Sequence, residues 1–525
     1  MAPPAAKTTE DIATGINLDE VPPFWKRKNG MLLYFLLTSS FFSSLASGFD
    51  GSMTNAMQFL PVWQERFNHP RGSTLGLFGA SNQIGAILPL ILFPWLGDKY
   101  GRRVPTAIGA TIIIVAALIQ TFAIDLGMFI GGKAILGIGT SIVQLGAPVL
   151  VTELCHPKER ARFTSFYNTS INLGYVIGAW VTFGSAKIPT DWQWKLPTLL
   201  QAAPSVYQLA LIYFSPESPR WLIAHNREEE ALALLEKWHG DGGSPSGQRV
   251  VSVQFTEIKS ALAFEAENRV SWRHFFTAPG NWKRVVLCTA VATFSQTSGN
   301  LLVSNYLPPI LRDTGITDVT DTTLINGGVT LWSYLVGLAV ALCIDRFPRR
   351  AFFLTGSGGV VVVFVAWTVA AQQYVDTDSL AAGRFVVAAV FLFQTFYTIA
   401  WLNLVVTYPL EILPYNLRAK GWSYVLLVVF VSGIYGNYIN PIGIENLGWR
   451  FYIYYCVWVA VVFAFVYFFF VETRGPTLEE LALLFEKDKR LKGVGKVVDE
   501  EGGEGDGEGE KRSLEGEERV EHKAE

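Results

Sequence analysis

Charged residues are scarce in this chain of 525 residues. Asp, Glu, Lys and Arg together make up 17% of the sequence, against roughly 25% in soluble globular proteins. Hydrophobic residues reach 50%, and the chain carries 36 phenylalanines and 16 tryptophans. A soluble protein of this length would need several domains with polar surfaces, so the shortage of charge predicts a membrane protein.

The sequence also has little that points to catalysis or redox chemistry. Its four cysteines fall in or beside apolar stretches without a paired spacing, and its six histidines show no metal-ligand spacing. Neither a phosphate-binding loop with Lys-Ser/Thr nor a nucleophile-and-base constellation is present. We therefore predict that the protein is not an enzyme, and that it has no cofactor, no metal site and no nucleic-acid partner.

Apolar segments long enough to cross a bilayer are abundant instead. A spanning helix needs about 20 mostly apolar residues, and this rule predicts twelve spans, six on each side of a polar insert. The N-terminus is polar and contains prolines, so the first span rather than a cleaved signal is expected to direct insertion. The predicted spans lie near residues 31–57, 74–96, 104–124, 128–151, 163–183, 197–214, 282–307, 322–344, 351–371, 383–409, 422–441 and 449–470.

A short charged loop after the second predicted span recurs about half a chain later. It reads GDKYGRR in the first copy and DRFPRR in the second, with acid, base, aromatic, turn residue and paired arginines in the same order. Two further pairs of segments recur at a similar offset, the last more faintly. The three pairs are 97–103 with 345–350, 153–161 with 411–419, and 216–220 with 471–475. Repeats in one order predict a duplicated half, and hence an all-α membrane protein of two six-helix bundles.

Basic residues in the short loops predict the orientation of the chain. They are concentrated on the side of the bilayer where the first span begins, which places both termini in the cytoplasm. The tail is rich in Gly, Glu and Lys and is expected to be disordered after about residue 486. The predicted domains are a cytoplasmic N-terminal segment, a six-helix bundle, a cytoplasmic helical linker, a second six-helix bundle and an acidic cytoplasmic tail, at residues 1–30, 31–214, 215–281, 282–470 and 471–525.

Two ionisable side chains lie inside predicted spans, where a charge costs at least about 2.5 kcal/mol. Asp50 lies late in the outward-running first span, and Lys133 lies early in the inward-running fourth span. They approach a similar depth from opposite directions, so they can pair. A carboxylate whose proton affinity depends on a nearby lysine can couple protons to transport. The alternative is that either charge only reaches to the membrane surface from a helix end.

Amide and aromatic side chains are concentrated in the predicted fifth, seventh, tenth and eleventh spans. Amides donate to and accept from hydroxyl groups, and aromatic faces pack against the C–H side of a sugar ring. No cationic cluster accompanies them, so they predict a polar, uncharged substrate, although a single amide commonly joins two helices instead. These residues are Asn168, Gln296, Asn300, Asn305, Tyr306, Trp401, Asn403 and Asn437.

From about residue 26 to residue 480 the chain resembles the sugar porter family of the major facilitator superfamily, and within it the fungal hexose and lactose-permease-type transporters. This resemblance implies a twelve-helix, two-bundle fold in the plasma membrane, a central sugar site and alternating access, with the lipid bilayer, a sugar and protons as partners. We expect a monomer to function. The motifs that carry the resemblance are residues 48–51 (GFDG), 97–103, 132–139, 153–160, 216–222 (PESPRWL) and 472–480 (ETRGPTLEE).

The resemblance also implies residue roles. Asp50 matches an aspartate used by proton-coupled members, with Lys133 in place of its usual arginine partner, and Gln296 matches a glutamine that binds sugar hydroxyls. Asn168 stands where the fifth span usually has a glutamine, whereas Trp401 and Asn437 stand apart from the family's usual positions. Further departures are Ala161, Asn305, Pro348 and Asn403. The predicted cytoplasmic gate consists of Asp98, Arg102, Glu153, Arg160, Glu217, Arg220, Asp345, Arg349, Glu411, Arg418 and Glu472.

Three functions remain open on this basis. The first is proton-coupled symport of a hexose or disaccharide, driven by a gradient because no ATP-binding loop is present. The second is facilitated diffusion by a uniporter, because Lys133 cannot offer the bidentate geometry of arginine. The third is a sugar sensor that signals through the acidic tail.

Overall fold

The computed structural model describes residues 21–267, 272–277, 279–312, 315–316, 318–343, 346–402, 404–413 and 417–474. Within these ranges every regular element is a helix. The predictions for Asp345, Asn403, the N-terminal segment before residue 21 and the tail from residue 475 lie outside the described residues.

The first half of the chain forms helices α1 to α8. Four of them are 28 or 29 residues long, which at 1.5 Å per residue exceeds the thickness of a bilayer core. The sixth predicted span is divided into two short helices. The bounds are α1 Gly30–Met57, α2 Pro61–Arg66, α3 Gly72–Tyr100, α4 Arg103–Thr121, α5 Leu126–Leu154, α6 Pro157–Ser185, α7 Trp192–Leu200 and α8 Ala203–Ile212.

The described part of the polar insert forms four α-helices. Its helices α10 and α11 pack on α9 through an apolar cluster that includes Leu222, Ile223, Ala231 and Phe255. The bounds are α9 Pro219–Ala224, α10 Glu228–His239, α11 Pro245–Glu267 and α12 Trp272–Thr277.

The second half forms helices α13 to α20. The seventh predicted span is broken between α13 and α14, at Gly299, and the tenth is broken by a π turn between α17 and α18. The bounds are α13 Pro279–Thr297, α14 Asn300–Arg312, α15 Val319–Cys343, α16 Arg349–Thr377, α17 Leu380–Tyr397, α18 Leu404–Ile412, α19 Arg418–Leu447 and α20 Phe451–Phe469.

Eight stretches of the described chain are long and apolar enough to cross a membrane, and one of them, residues 420–469, contains most of α19 and all of α20. Neither α3 nor α6, with 29 residues each, nor the divided sixth span is among these stretches. The all-helical membrane fold is therefore confirmed, while the count of twelve spans stays a prediction.

Among the described residues, helices pack mainly within their own half, and a few pairs join the halves. Within the halves α1 packs on α6, α3 and α4 on α5, and α16 on α17 and α20. Across the halves α3 packs on α19, α6 on α15, and α1 on α14. We call the end of the molecule that carries residues 97–103 the predicted cytoplasmic face, and the end at which α1 finishes the opposite face.

Candidate functional site

Asp50 and Lys133 meet inside the first half of the chain. Lys133 Nζ lies 3.3 Å from Asp50 Oδ1, which joins α5 to α1. The two residues are only 1% and 5% exposed. A buried ion pair of this kind needs further hydrogen bonds to offset the loss of hydration.

Two neighbouring side chains supply such hydrogen bonds and a third places an aromatic ring beside the lysine, and sequence reasoning missed all three. Asn82 Nδ2 donates to the second carboxylate oxygen, Asp50 Oδ2, at 2.7 Å. Lys133 donates to Thr54 Oγ1, and its Nζ lies 5.1 Å from the centre of the Phe78 ring. Thr54 in turn donates to the Asp50 carbonyl at 2.7 Å. Asn82, an amide within a predicted span, was the one signal in the sequence.

Close packing of α3 on α5 fixes this arrangement. A Cβ atom at Gly85 would overlap the carbonyl of Ala134, and one at Gly137 would overlap the carbonyl of Asn82. Small residues let membrane helices approach this closely. The amide of Asn82 and the ammonium of the lysine are thereby held on the two oxygens of Asp50.

A polar cavity of about 70 Å³ lies between the two halves. None of its lining residues is charged, and most carry an amide or a hydroxyl group. Asn326 Nδ2 and Gln394 Oε1 are buried and have no hydrogen-bond partner among the described residues. Such a wall can bind hydroxyl groups without requiring a charge on the ligand. Its polar lining residues are Ser52, Asn55, Asn172, Tyr175, Asn300, Ser304, Asn326, Thr330, Ser333, Tyr334, Gln394 and Tyr397.

The residues predicted to bind substrate are spread over several places. Asn300 lines the cavity. Asn305 Nδ2 and Tyr306 Oη donate to the side chain and the carbonyl of Asn437, each at 2.7 Å, so these three form a separate cluster between α14 and α19. Gln296 is half-buried and donates to its neighbour Ser295 at 3.2 Å.

Trp401 lies in the hydrophobic core of the second half. It is fully buried, and its ring packs against Phe294 and Phe353 rather than lining the cavity. Asn168 lies on α6, and its side chain is not among those described. Asn403 lies outside the described residues.

The two repeated loops make equivalent contacts at the predicted cytoplasmic face. Glu217 accepts hydrogen bonds from the backbone N–H groups of Arg102 and Arg103, at 2.9 and 3.3 Å. In the second half, Glu472 accepts them from Arg349 and Arg350, at 2.8 and 2.9 Å. Each glutamate thus stabilises the N-terminus of the helix that follows its loop.

Each half also places an ion pair beside this contact. Arg102 Nε lies 3.8 Å from Glu153, and Arg349 Nε lies 3.3 Å from Glu411. Each ion pair joins two residues of the same half, so the gate residues of the first half and those of the second half form separate clusters. The Asp98 side chain is 80% exposed and lies 3.8 Å from Arg102.

The remaining predicted gate residues have other neighbours. Arg220 forms an ion pair with Glu265 of the insert. Arg418 Nε donates to the carbonyl of Leu413 at 3.2 Å. Arg160 Nε is buried and has no hydrogen-bond partner among the described residues.

Polar contacts also join the two halves near the opposite face, and they close the space between the halves on that side. Asn55 Nδ2 donates to Asn326 Oδ1 at 2.7 Å, and Gln58 Nε2 donates to the carbonyl of Asn305 at 2.7 Å. Gly79 of α3 lies against Tyr306 and Asn437. We call this set of contacts the outer gate.

The insert is anchored to the first half through buried histidines. His239 Nε2 lies 3.1 Å from the carbonyl of Leu154 at the end of α5, and its Nδ1 lies 2.7 Å from Gln254 Oε1. Its ring meets that of His156, with the centres 5.2 Å apart. Burial lowers the pKa of His239 to about 4 and that of His156 to about 2.

Comparison with known proteins gives one family and one fold. The family described as sugar (and other) transporter matches residues 36–485. The MFS-type transporter oryC of Aspergillus oryzae is 28% identical over 90% of this chain and 89% of its own length. The sugar transporter STL1 of Saccharomyces cerevisiae is 26% identical over 88% and 83%.

The structural comparison agrees with the predicted fold. The inward open conformation of the xylose transporter XylE from E. coli superposes with a TM-score of 0.71, covering 86% of this chain and 100% of that chain at 20% identity. The prediction of a major facilitator fold is confirmed.

Proposed function

Since this chain belongs to the sugar porter family of the major facilitator superfamily, we propose that it transports a polar, uncharged sugar across the membrane together with protons. The observation that carries this proposal is the buried Asp50–Lys133 pair in the same half as one wall of a cavity without charged residues. Relatives named as sugar and glucose transporters support the choice of substrate.

The proton step takes place at Asp50. A proton that binds the carboxylate removes its charge, and the attraction to Lys133 is lost with it. Of the contacts of the Lys133 ammonium among the described residues, the hydrogen bond to Thr54 and the approach to the Phe78 ring then remain. An uncompensated buried ammonium is costly, so protonation favours a rearrangement of α5 relative to α1. Release of the proton on the other side restores the pair.

The sugar step takes place at the cavity between the halves. The hydroxyl groups of the sugar would bind the amide atoms that have no partner among the described residues. These atoms are Asn326 Nδ2 and Gln394 Oε1 of the second half and Asn55 Oδ1 of the first half. A ligand held by both halves is exposed to one side at a time if the halves rock about it. We assign residues 31–214 and 282–470 to these two moving halves.

The gates control this motion. Contacts of the outer gate join the halves, and so they stabilise a state that is closed on the opposite face. The Glu217 and Glu472 contacts stabilise each half at the predicted cytoplasmic face. We place both termini in the cytoplasm and the protein in the plasma membrane, since the loops on that side carry most of the basic residues.

Uptake into proteoliposomes tests the proposal. Labelled glucose, xylose, a disaccharide and a polyol are each offered with and without an inward proton gradient, and a protonophore serves as control. Symport predicts accumulation above equilibrium only with the gradient. Equal uptake in both conditions would identify a uniporter, which the single Lys133 contact in place of a bidentate arginine favours. Absence of any uptake, with specific sugar binding retained, would favour the sensor.

A further inference from the structure

We propose that Asn82 on α3 is a positioning residue that transmits the charge state of Asp50 to the outer gate. The idea rests on the proposed proton step at Asp50. It assigns a role in that step to a residue outside the ion pair.

Asn82 belongs to the immediate surroundings of the carboxylate. Its Nδ2 donates to Asp50 Oδ2 at 2.7 Å, whereas Lys133 takes the other oxygen. Among the described residues, the titratable side chain of Tyr175 on α6 also faces this site, and its ring lies against the neighbouring Gly51. The link between Asp50 and α3 therefore runs through the Asn82 amide.

This link depends on the charge of its acceptor. A hydrogen bond to a carboxylate is about twice as strong as one to a neutral group. Protonation of Asp50 therefore weakens the bond that ties α3 to α1. The backbone of Asn82 stays packed against Gly137 of α5, so the change acts on a helix whose position is otherwise tightly defined.

The adjacent face of α3 forms part of the outer gate. Gly79, one turn before Asn82, lies against Tyr306 and Asn437 of the second half. Gln83, the next residue along, lies against Gly433 of α19. Residues 79–83 of α3 thus contact the ion pair on one side and the second half on the other. Weakening the hydrogen bond between Asn82 and Asp50 therefore changes the packing of this stretch against the second half.

The proposal is tested by measuring the opening of the outer gate. Spin labels at Ser73 of α3 and Asn446 of α19, both exposed, report the distance between the halves at the opposite face. The labels are attached after replacement of the partly exposed Cys343 and Cys456. In the wild type we expect the fraction with the gate open to rise as the pH falls from about 8 to about 5, because protonation of Asp50 weakens its hydrogen bond with Asn82.

Three variants separate positioning from mere packing. Asn82→Leu removes the donor at similar size, and it should lose the pH response and show at high pH the open fraction of the wild type at low pH. Asn82→Gln keeps an amide and should retain most of the response. In an Asp50→Asn background, Asn82→Leu should add no further change, because it acts through the carboxylate.

The outcomes distinguish the two proposals. A wild-type gate that does not respond to pH, a normal response in Asn82→Leu, or an additive effect of the double variant overturns the role of Asn82. A pH-responsive gate without proton-driven sugar accumulation overturns only the proposed symport. If Asn82→Leu does not fold, the test relies on Asn82→Gln. A loss of the pH response of the outer gate in Asn82→Gln, with sugar exchange intact, would contradict the role of the amide donor.

Discussion

Asn55 on α1 donates a 2.7 Å hydrogen bond to Asn326 on α15, and this bond joins the two halves of the chain inside the protein. Both residues are only 2% exposed. Asn55 Oδ1 and Asn326 Nδ2 have no partner of their own among the described residues. The bond belongs to the outer gate and also to the wall of the cavity, so it must break whenever the gate opens.

Asn326→Leu is expected to shift the protein toward the state in which the outer gate is open. The closed state loses one neutral hydrogen bond, worth about 0.5 to 1.5 kcal/mol, which changes the ratio of the two states about two- to tenfold. The labels at Ser73 and Asn446 measure this ratio. Gln373→Leu, which replaces an exposed amide on α16, is the matched control. An unchanged distance distribution would show that the bond does not hold the gate.

Gly79→Ala tests the same gate by overpacking instead of by loss of a bond. The added Cβ atom would lie 2.6 Å from Tyr306 Oη and 2.8 Å from Asn437 Oδ1, so those side chains must shift. We expect the closed state to lose about 1 to 3 kcal/mol, which raises the open fraction. Gly184→Ala is the control, since nothing lies within 4 Å of its Cβ position. Equal effects of the two substitutions would contradict tight packing at Gly79.

How far the sequence could predict the site depends on the type of residue. Asp50 and Lys133 were recognisable because a charge in an apolar span is rare and needs a partner. Asn82 and Thr54 contact the same pair, yet ordinary polar residues are common in such helices. Trp401 shows the opposite problem, because the sequence of an apolar span does not tell whether an aromatic ring faces a cavity or the core.

The fold was easier to predict because it depends on features that repeat. Long apolar runs impose helices, since the bilayer leaves no other partner for the backbone. The recurring charged loops then indicated duplication, and Glu217 and Glu472 make equivalent contacts in the two halves. The repeats could not predict how the two halves pack against each other, because this packing depends on single contacts such as that of Gly79 with Tyr306.

Glu217→Gln is expected to slow transport more than Asp98→Asn. Glu217 accepts two backbone N–H groups at the start of α4, and replacing its charge weakens bonds worth about 1.5 to 3 kcal/mol. The Asp98 side chain is 80% exposed, and exposed ion pairs contribute about 0 to 1 kcal/mol. Transport rates and thermal unfolding in detergent check both variants, with Glu472→Gln as the equivalent change in the second half. A larger loss in Asp98→Asn, or a changed sugar preference, would contradict this assignment.

Acidification is expected to detach the insert from the first half. Burial lowers the pKa of His239 to about 4, whereas an exposed histidine titrates near 6.5. Above about pH 6.5 both the docked and the undocked forms are neutral, so docking does not change with pH. As the pH falls from 6.5 toward 4, the undocked form binds a proton that the docked form rejects. Docking therefore weakens by about 1.4 kcal/mol per pH unit for each such histidine.

Hydrogen exchange in α10 and α11, measured between about pH 7.5 and pH 5 and corrected for the intrinsic effect of pH, checks this expectation. His156, whose pKa is also lowered, adds to the slope. His239→Gln keeps a donor for the Leu154 carbonyl without titrating, so it should reduce the slope by about one proton rather than abolish it. His225→Gln, which replaces an exposed histidine of the same insert, should leave the slope unchanged. If protection in the His239 variant falls with pH as steeply as in the wild type, His239 does not couple docking to pH.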